Sequence, residues 1–583
     1  MKRSLTTLLC TLLCTLLLAG SAFAGTVSPD FKSNNSLTPV TILVQFSRAP
    51  TPDLLGTLAR NGAALQKRFK NIPAIQVFTV PEAMVPLIAR MPGVKYVTPN
   101  RTLARRLDIT TATVGSTLAN QSGWTGAGVG VAVIDSGIDV TNADLNVADS
   151  SASRVVYSQD FVGTGTQDFY GHGTHVAGII GGNGANSNGL YHGIAPGVNL
   201  INLRALDENG SGSDAQVIEA IDEAIELQQT YNIRVINMSL GRGIFESFAQ
   251  DPLCQAVEAA YQAGIVVVVA SGNEGRDNSA SNQGYGTVNS PGNDPFVITV
   301  GAMNTEGTPD PSDDLMASYS SKGPTAIDNF VKPDLVAPGN MVISLRVPGS
   351  TLDVDNPQDL VDPTAYGAPA GSTSLYFTLN GTSMATPVVA GAAALLVQQN
   401  PSLTPDQIKG TLMLTSNKSF PASSTITDSV SGEQFTDYYD IFTVGTGYIN
   451  VMAAINNTVP LTGTFPSPVA VFDSGSSTIS IVNPDQIAWG SQIAWGSQIA
   501  WGSQIAWGSS SAGAAQIAWG SQIAWGSQIA WGSQIAWGSN TVVTKAAPLQ
   551  SASQGSSTVW GASAASASMT LAADSILAAK GEK

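Results

Sequence analysis

Between residues 107 and 456 the chain repeats one pattern: a short apolar run, then a helical stretch, then another apolar run. Val129–Ile134, Val198–Leu203, Val235–Met238 and Ile265–Val269 read as buried strands. Ser213 and Gln216 form a capping box ahead of a helix that carries Val217, Ile218, Ile221 and Ile225 on one face. A second helix is expected over Pro252–Gln262, between two of the strands. Strands alternating with helices must cross over in one sense and cover both faces of a parallel sheet. The expected class is α/β, with a doubly wound and mainly parallel sheet.

Open sheets of this kind gather their functional groups at the carboxyl ends of the strands. Asp135 directly follows the run Val129–Ile134, within Val133-Ile134-Asp135-Ser136-Gly137-Ile138-Asp139. Ser271-Gly272-Asn273-Glu274-Gly275 directly follows Ile265–Ala270, so two strand ends deliver polar groups to one edge. The chain has three histidines, His172, His175 and His192, and histidine is the commonest general base at neutral pH. Two of them lie in Gly171-His172-Gly173-Thr174-His175, where Val176–Ile180 continues as a helix. Read as a zinc pair, that motif lacks the further His, Cys or acidic ligands a metal needs. Ser383 lies in Asn380-Gly381-Thr382-Ser383-Met384-Ala385-Thr386-Pro387, just ahead of the apolar small-residue helix Val388–Leu396. Alone, a serine there is an ordinary helix cap and the nearby proline an ordinary first-turn residue. Its company distinguishes it.

Taken together, Val-Ile-Asp-Ser-Gly-Ile at 133–138, Gly-His-Gly-Thr-His-Val-Ala-Gly at 171–178 and Asn-Gly-Thr-Ser-Met-Ala-Thr-Pro at 380–387 resemble the subtilisin-like serine proteases, the subtilases. Met238-Ser239-Leu240-Gly241 and Lys332–Gly339 match as well, and the resemblance covers roughly residues 120 to 455. It implies a serine endopeptidase acting on proteins and peptides. Ser383 would be the nucleophile, His172 its base, Asp135 the group that orients the imidazole, and Asn273 an oxyanion donor with the Ser383 amide. A related family works in acid with Glu for His and Asp for Asn; His172 and Asn273 argue against that branch. The resemblance further implies that Ser239, Leu240 and Gly241 pair with extended substrate. Ala270 and Gly272 would line the pocket before the cut, and Gly284 would form its floor. No cofactor is implied for the chemistry. Asp144 falls where many relatives hold a structural calcium, although the partner loop Gly181–His192 is longer here than in subtilisins.

Residues 1–24 read as a secretory signal: Lys2 and Arg3, the apolar stretch Leu5–Leu18, then Ala22-Phe23-Ala24. Its apolar run is shorter than the roughly 18 residues that span a bilayer. The expectation is a secreted protein, extracellular or periplasmic. Residues 25–106 form a small α+β unit with strands at Thr41–Phe46, Ile75–Val80 and Val94–Val97 and a helical pattern from Pro81 through Ile88. This segment resembles the inhibitory prosegments of subtilases. It carries eleven Lys or Arg against three Asp or Glu, a balance of +8, whereas residues 107–583 carry thirteen against thirty-nine, a balance of −26. A basic block of this kind suits an acidic partner on the same chain better than nucleic acid, which the acidic remainder excludes as a substrate.

The catalytic assignment spans residues 107–456, and beyond it, from 457 to 583, the composition turns to Ser, Gly, Ala and Trp. Eight copies of Gln-Ile-Ala-Trp-Gly-Ser within 486–539 place Trp at 489, 495, 501, 507, 519, 525, 531 and 537. An even period keeps the same faces in every extended repeat, so stacked solenoid rungs and a sticky linker are both open. Either would promote self-association or attachment to a surface, and a catalytically idle adhesion scaffold is the competing function. Past the first fifteen residues only Cys254 remains, so the fold is expected to hold without a disulfide.

Overall fold

A strand buried on both faces needs apolar residues at every position, and the sheet at the centre of this protein is built from such runs. The computed structural model describes residues 25–28, 38–69, 73–99, 109–279, 282–428, 432–473 and 478–482, with short strands beyond. The signal-like segment 1–24, the basic run around 101–106 and most of the repeats lie outside the described residues. Two compact units are present, Met1–Arg105 and Arg106–Lys583.

In the first unit, strands Thr26–Val27, Pro39–Phe46, Ala64–Arg68, Ile75–Pro81 and Val94–Pro99 form one sheet. Ile42, Val44, Phe78, Val80, Val85, Ile88 and Val97 close its core. Two of its elements escape the sequence reading. Ala64–Arg68 is exposed along its length and so carries no alternation. The helix Pro52–Arg60 is announced only by its cap, where Thr51 Oγ1 accepts the Leu54 amide at 3.3 Å.

The second unit contains strands β1 (Gly130–Asp135) and β2 (Val155–Asp160), helix α1 (His172–Gly181), and strands β3 (Asn199–Arg204) and β4 (Ser211–Gly212). Helix α2 (Asp214–Glu226), β5 (Ile233–Met238), β6 (Leu240–Gly241), helix α3 (Pro252–Gln262) and β7 (Val266–Ala270) follow. Strands β8 (Ile298–Asn304), β9 (Leu315–Met316) and β10 (Leu335–Pro338) precede helix α4 (Thr382–Gln399). The main sheet runs β9-β8-β7-β5-β1-β3-β2, with β10 also beside β8. Every pairing is parallel except β8 with β9. The α/β class and the mainly parallel sheet are as expected. All residues of β1 and β7 are buried, which explains their unbroken apolar runs. The capping box of α2 forms, with Ser213 accepting the Gln216 amide. Helix α4 is buried from Thr382 to Val397 and packs on β5, β7, β8 and α1, so it needs apolar or small residues all round. Cys254 is a buried free thiol inside α3, and burial pushes its pKa up.

In the tail, β11 (Val469–Asp473), β12 (Thr478–Val482), β13 (Gln498–Ile499), β14 (Ser503–Trp507) and β15 (Ala515–Ala518) make a sheet ordered β11-β12-β15-β14-β13. Two repeat copies face each other across it antiparallel, with Ile505 opposite Ile517. These described strands pair antiparallel throughout, not as parallel rungs. A last strand, β16 (Leu571–Ala573), belongs to a separate three-stranded sheet with β4 and β6. Among the described residues no helix is long and apolar enough to cross a membrane.

Candidate active site

Parallel neighbours present their carboxyl ends together, so register decides which side chains share a level. Asn237 of β5 pairs with Val133 of β1 and with Val268 of β7. Two residues further along, Asp135, Ser239 and Ala270 come level on three adjacent strands. The expected edge is real.

Asp135 Oδ1 lies 2.7 Å from His172 Nδ1, and both side chains are buried. The same oxygen accepts the Ser136 amide at 2.7 Å. This pairing requires the first turn of α1 to press on the loop after β1. Gly173 permits it: a Cβ there would meet the Gly137 carbonyl oxygen at 2.2 Å and Asp135 Cβ at 3.1 Å. Asp168, absent from the sequence reading, ties the two pieces together. It accepts the Gly171 amide at 2.7 Å, the Thr174 amide at 2.8 Å and the Ser136 hydroxyl at 2.8 Å, while Ser136 Oγ accepts the Gly173 amide at 2.9 Å. A carboxylate at a helix N-terminus is favoured by the orphan amides and the dipole. Burial nevertheless raises its pKa. Its signal in the sequence was an acid four residues before His172, just ahead of a glycine-rich helix start.

Ser383 sits in the first turn of α4, after Gly381, whose φ of 143° lies in a region closed to side-chain-bearing residues. Its hydroxyl donates to the Ser239 carbonyl at 3.2 Å, and the Ser239 hydroxyl donates to the Ser383 carbonyl at 2.8 Å. These bonds hold the helix start at the end of β5, the strand beside β1. From the end of β7, Asn273 Oδ1 accepts the Thr382 amide at 2.9 Å and the Thr382 hydroxyl at 3.3 Å. Its Nδ2 is a buried donor with no acceptor among the described residues. A Cβ on Gly381 would lie 3.2 Å from that nitrogen and 3.6 Å from the Ser383 amide nitrogen, so both donors border one small space. Two fixed donors around one point can stabilise an oxygen that gains negative charge there.

Leu240 and Gly241 form β6, and Ala270 and Gly272 lie at the end of β7. Gly284 packs against Gly275, in the loop that follows Asn273. A Cβ on Gly284 would strike Gly275, and neither Gly241 nor Gly272 is among its nearest neighbours. The residue beside both of those glycines is Asn289. It packs there because its amide bonds the Ser271 carbonyl and Arg242 pairs with Ser290. Asn289 Nδ2 donates to Glu274 Oε2 at 3.3 Å and Ser321 Oγ donates to it at 3.0 Å, while burial raises the carboxyl pKa. Spacing from Asn273 pointed to Gly284, whereas Asn289, five residues further on, is the side chain found beside Gly241 and Gly272.

The second histidine of the motif, His175, turns away into the core. Its Nε2 lies 3.1 Å from the Phe377 carbonyl, and burial, reinforced by His172, lowers its pKa to about 3. Asp144 is also buried, and its oxygens face donors: the Asn186 amide at 2.6 Å and the Tyr376 hydroxyl at 2.6 Å. The Arg154 guanidinium bonds the Asp144 carbonyl at 3.0 Å. A calcium ion requires a shell of oxygens, whereas each carboxylate oxygen here accepts a hydrogen and the guanidinium takes the main-chain carbonyl. The residues present do not fit the ion, and among the described residues no three His, Cys, Asp or Glu side chains gather as a metal cluster.

A buried Asp–His pair at one strand end and a serine at a helix start bound to the end of the neighbouring strand, on a parallel α/β sheet, accord with a serine endopeptidase, and that is the class of this protein. The profile of the Subtilase family matches residues 126–435. Serine protease AprX of Bacillus subtilis is 40% identical over 356 residues, which is 59% of this chain and 74% of that protein. Subtilisin E of the same species is 35% identical over 400 residues, 68% of this chain and 84% of the relative. The subtilisin of Bacillus pumilus is 38% identical over 335 residues, 58% of this chain and 94% of the relative. The chain belongs to the subtilase family.

Proposed function

We propose that the protein is a secreted, self-processed endopeptidase in which Ser383, His172, Asp135 and Asn273 carry the reaction. The observation that carries this reading is the buried Asn273 amide, held by Thr382 and sharing one small space with the Ser383 amide. Ser383 Oγ attacks the peptide carbonyl carbon and passes its proton to His172. The carbonyl oxygen takes up the negative charge between Asn273 Nδ2 and the Ser383 amide. His172 then protonates the departing amine, and water repeats the sequence to free the acid. Asp135 keeps the imidazole in the tautomer that accepts at Nε2 and stabilises its cation. The chemistry asks for no metal or other cofactor.

Ser239, Leu240 and Gly241 would pair with the substrate backbone, and Ala270, Gly272, Asn289 and Glu274 would border the pocket before the cut. Residues 1–24 would direct export, residues 25–106 would inhibit until cleaved off, and the repeats would attach the enzyme to a surface or to one another. The charge balances of +8 and −26 support prosegment binding, which high salt should weaken.

The test is purified Ser383→Ala protein with casein as substrate. Loss of turnover by several orders of magnitude in a folded protein is expected, because such residues act as a unit. In the parent, a serine-directed phosphonate should label Ser383. Turnover retained in the variant would remove the assignment, and no turnover in the parent itself would favour the adhesion scaffold.

A further inference from the structure

Strand β16, residues 571–573, is the middle strand of a three-stranded sheet whose outer strands are β4 and β6. Ala573 lies opposite Leu240 and Ala572 opposite Gly241, antiparallel. On its other side Leu571 lies opposite Gly212 and Ala572 opposite Ser211, again antiparallel. The tail segment therefore runs between two edges that each hold only two residues. Such edges present unpaired amides and carbonyls and take up an added strand readily. Strand β6 begins one residue after Ser239, which exchanges two hydrogen bonds with Ser383. The direction from Leu571 to Ala573 leads toward that end of β6.

We infer that the groove between β4 and β6 is a binding site for the chain's own C-terminal segment around Leu571-Ala572-Ala573, which competes there with peptide substrates. This rests on the reading of Ser383 as the nucleophile. The ligand class is a short extended peptide of apolar and small residues, bound through its backbone as an inserted strand. Its attachment to the enzyme makes binding intramolecular. Even a weak strand then fills the groove part of the time, since tethering gives effective concentrations that reach about millimolar for short linkers and fall as the linker lengthens. Substrate must displace it, so the apparent KM rises while kcat does not.

The experiment uses the full chain after processing, with intact mass confirming that the C-terminus is retained. Ala572→Pro removes one amide and places proline in a central strand, where it is not accommodated. On a short chromogenic peptide this variant is expected to show a KM lower by roughly threefold to tenfold at unchanged kcat, as when an effective concentration of about millimolar acts on a strand whose own dissociation constant is a few tenths of that. Deletion of 571–573 should give the same shift. A synthetic peptide of residues 566–578 should inhibit the variant competitively, and the same peptide with proline at 572 should not. Equal KM in parent and variants, with no inhibition by the peptide, would overturn the proposal. Ser383→Ala in the same assay separates the two readings: turnover that survives it removes the active-site assignment itself, whereas Ser383-dependent turnover with unchanged KM removes only the tail's role.

Discussion

Asn273 and Thr382 are joined across 109 residues of sequence by a 2.9 Å bond from the Thr382 amide to the Asn273 side-chain oxygen. The bond fixes which way the amide faces. With its oxygen engaged, Asn273 has only its nitrogen left to point into the space beside Gly381 and the Ser383 amide. Preorganisation of this kind costs nothing at the moment of reaction, which is why one donor contributes so much.

Asn273→Ala should lower kcat by about 10²–10³ with little change in KM, the order found for the matching donor in subtilisin. Because the oxyanion exists only during reaction, substrate binding should be spared. Steady-state kinetics on a peptide substrate decide it: a change confined to KM would show that Asn273 binds ground-state substrate instead.

Gly173→Ala should separate His172 from Asp135. The added methyl meets the Gly137 carbonyl at 2.2 Å, a distance real contacts do not reach, so the first turn of α1 must move. Overpacking of this sort costs about 1–3 kcal/mol of stability. Activity should fall far more than stability, and a phosphonate should label Ser383 more slowly. Parental activity in this variant would show that the close approach of α1 is not needed.

His175 makes the fold sensitive to acid. Its folded pKa of about 3 lies below the ordinary 6.5, so the unfolded chain binds the extra proton between those values. Stability from this group is fully present above pH 6.5 and declines as pH falls toward 3, by about 1.4 kcal/mol per unit while the unfolded side chain is protonated and the folded one is not. His175→Gln keeps a donor for the Phe377 carbonyl without a titrating group. Urea midpoints at pH 7 and pH 5 should differ less in this variant than in the parent; an equal difference would clear His175 of the effect.

Chelation by EDTA should leave the thermal midpoint and the turnover unchanged so far as Asp144 is concerned. The Tyr376 hydroxyl, the Asn186 amide and the Arg154 guanidinium already stand where a calcium shell would need oxygens. Tyr376→Phe removes one of those donors and leaves a buried carboxylate oxygen short of a partner, at a cost of about 1–3 kcal/mol. A midpoint that drops on chelation in the parent, and returns with calcium, would overturn this reading of the loop.

Much of the candidate site's placement was legible because its signals are local. A strand that must be apolar throughout, broken by Asp135 or followed by Asn273, announces its carboxyl end in a few residues. Helix starts at His172 and Ser383 are equally short-range, since small residues are needed wherever a helix end approaches other backbone. The parallel α/β sheet followed from the same alternation, as did the capping box of α2. Tertiary structure decided what depends on distant partners. Asn289 came to lie beside Gly241 and Gly272 because loop length, not position after Asn273, sets what reaches them. Asp168 acquired its place from amides and a hydroxyl on two separate elements. Asp144 lost its expected ion to Tyr376, 232 residues further along the chain. Strand β16 met β6 from some 330 residues away and β4 from some 360. Composition and periodicity fix what a segment prefers to become, because those preferences act over a few residues. Which groups then face each other depends on how the finished elements close on one another, and that energy is shared among residues no local pattern connects.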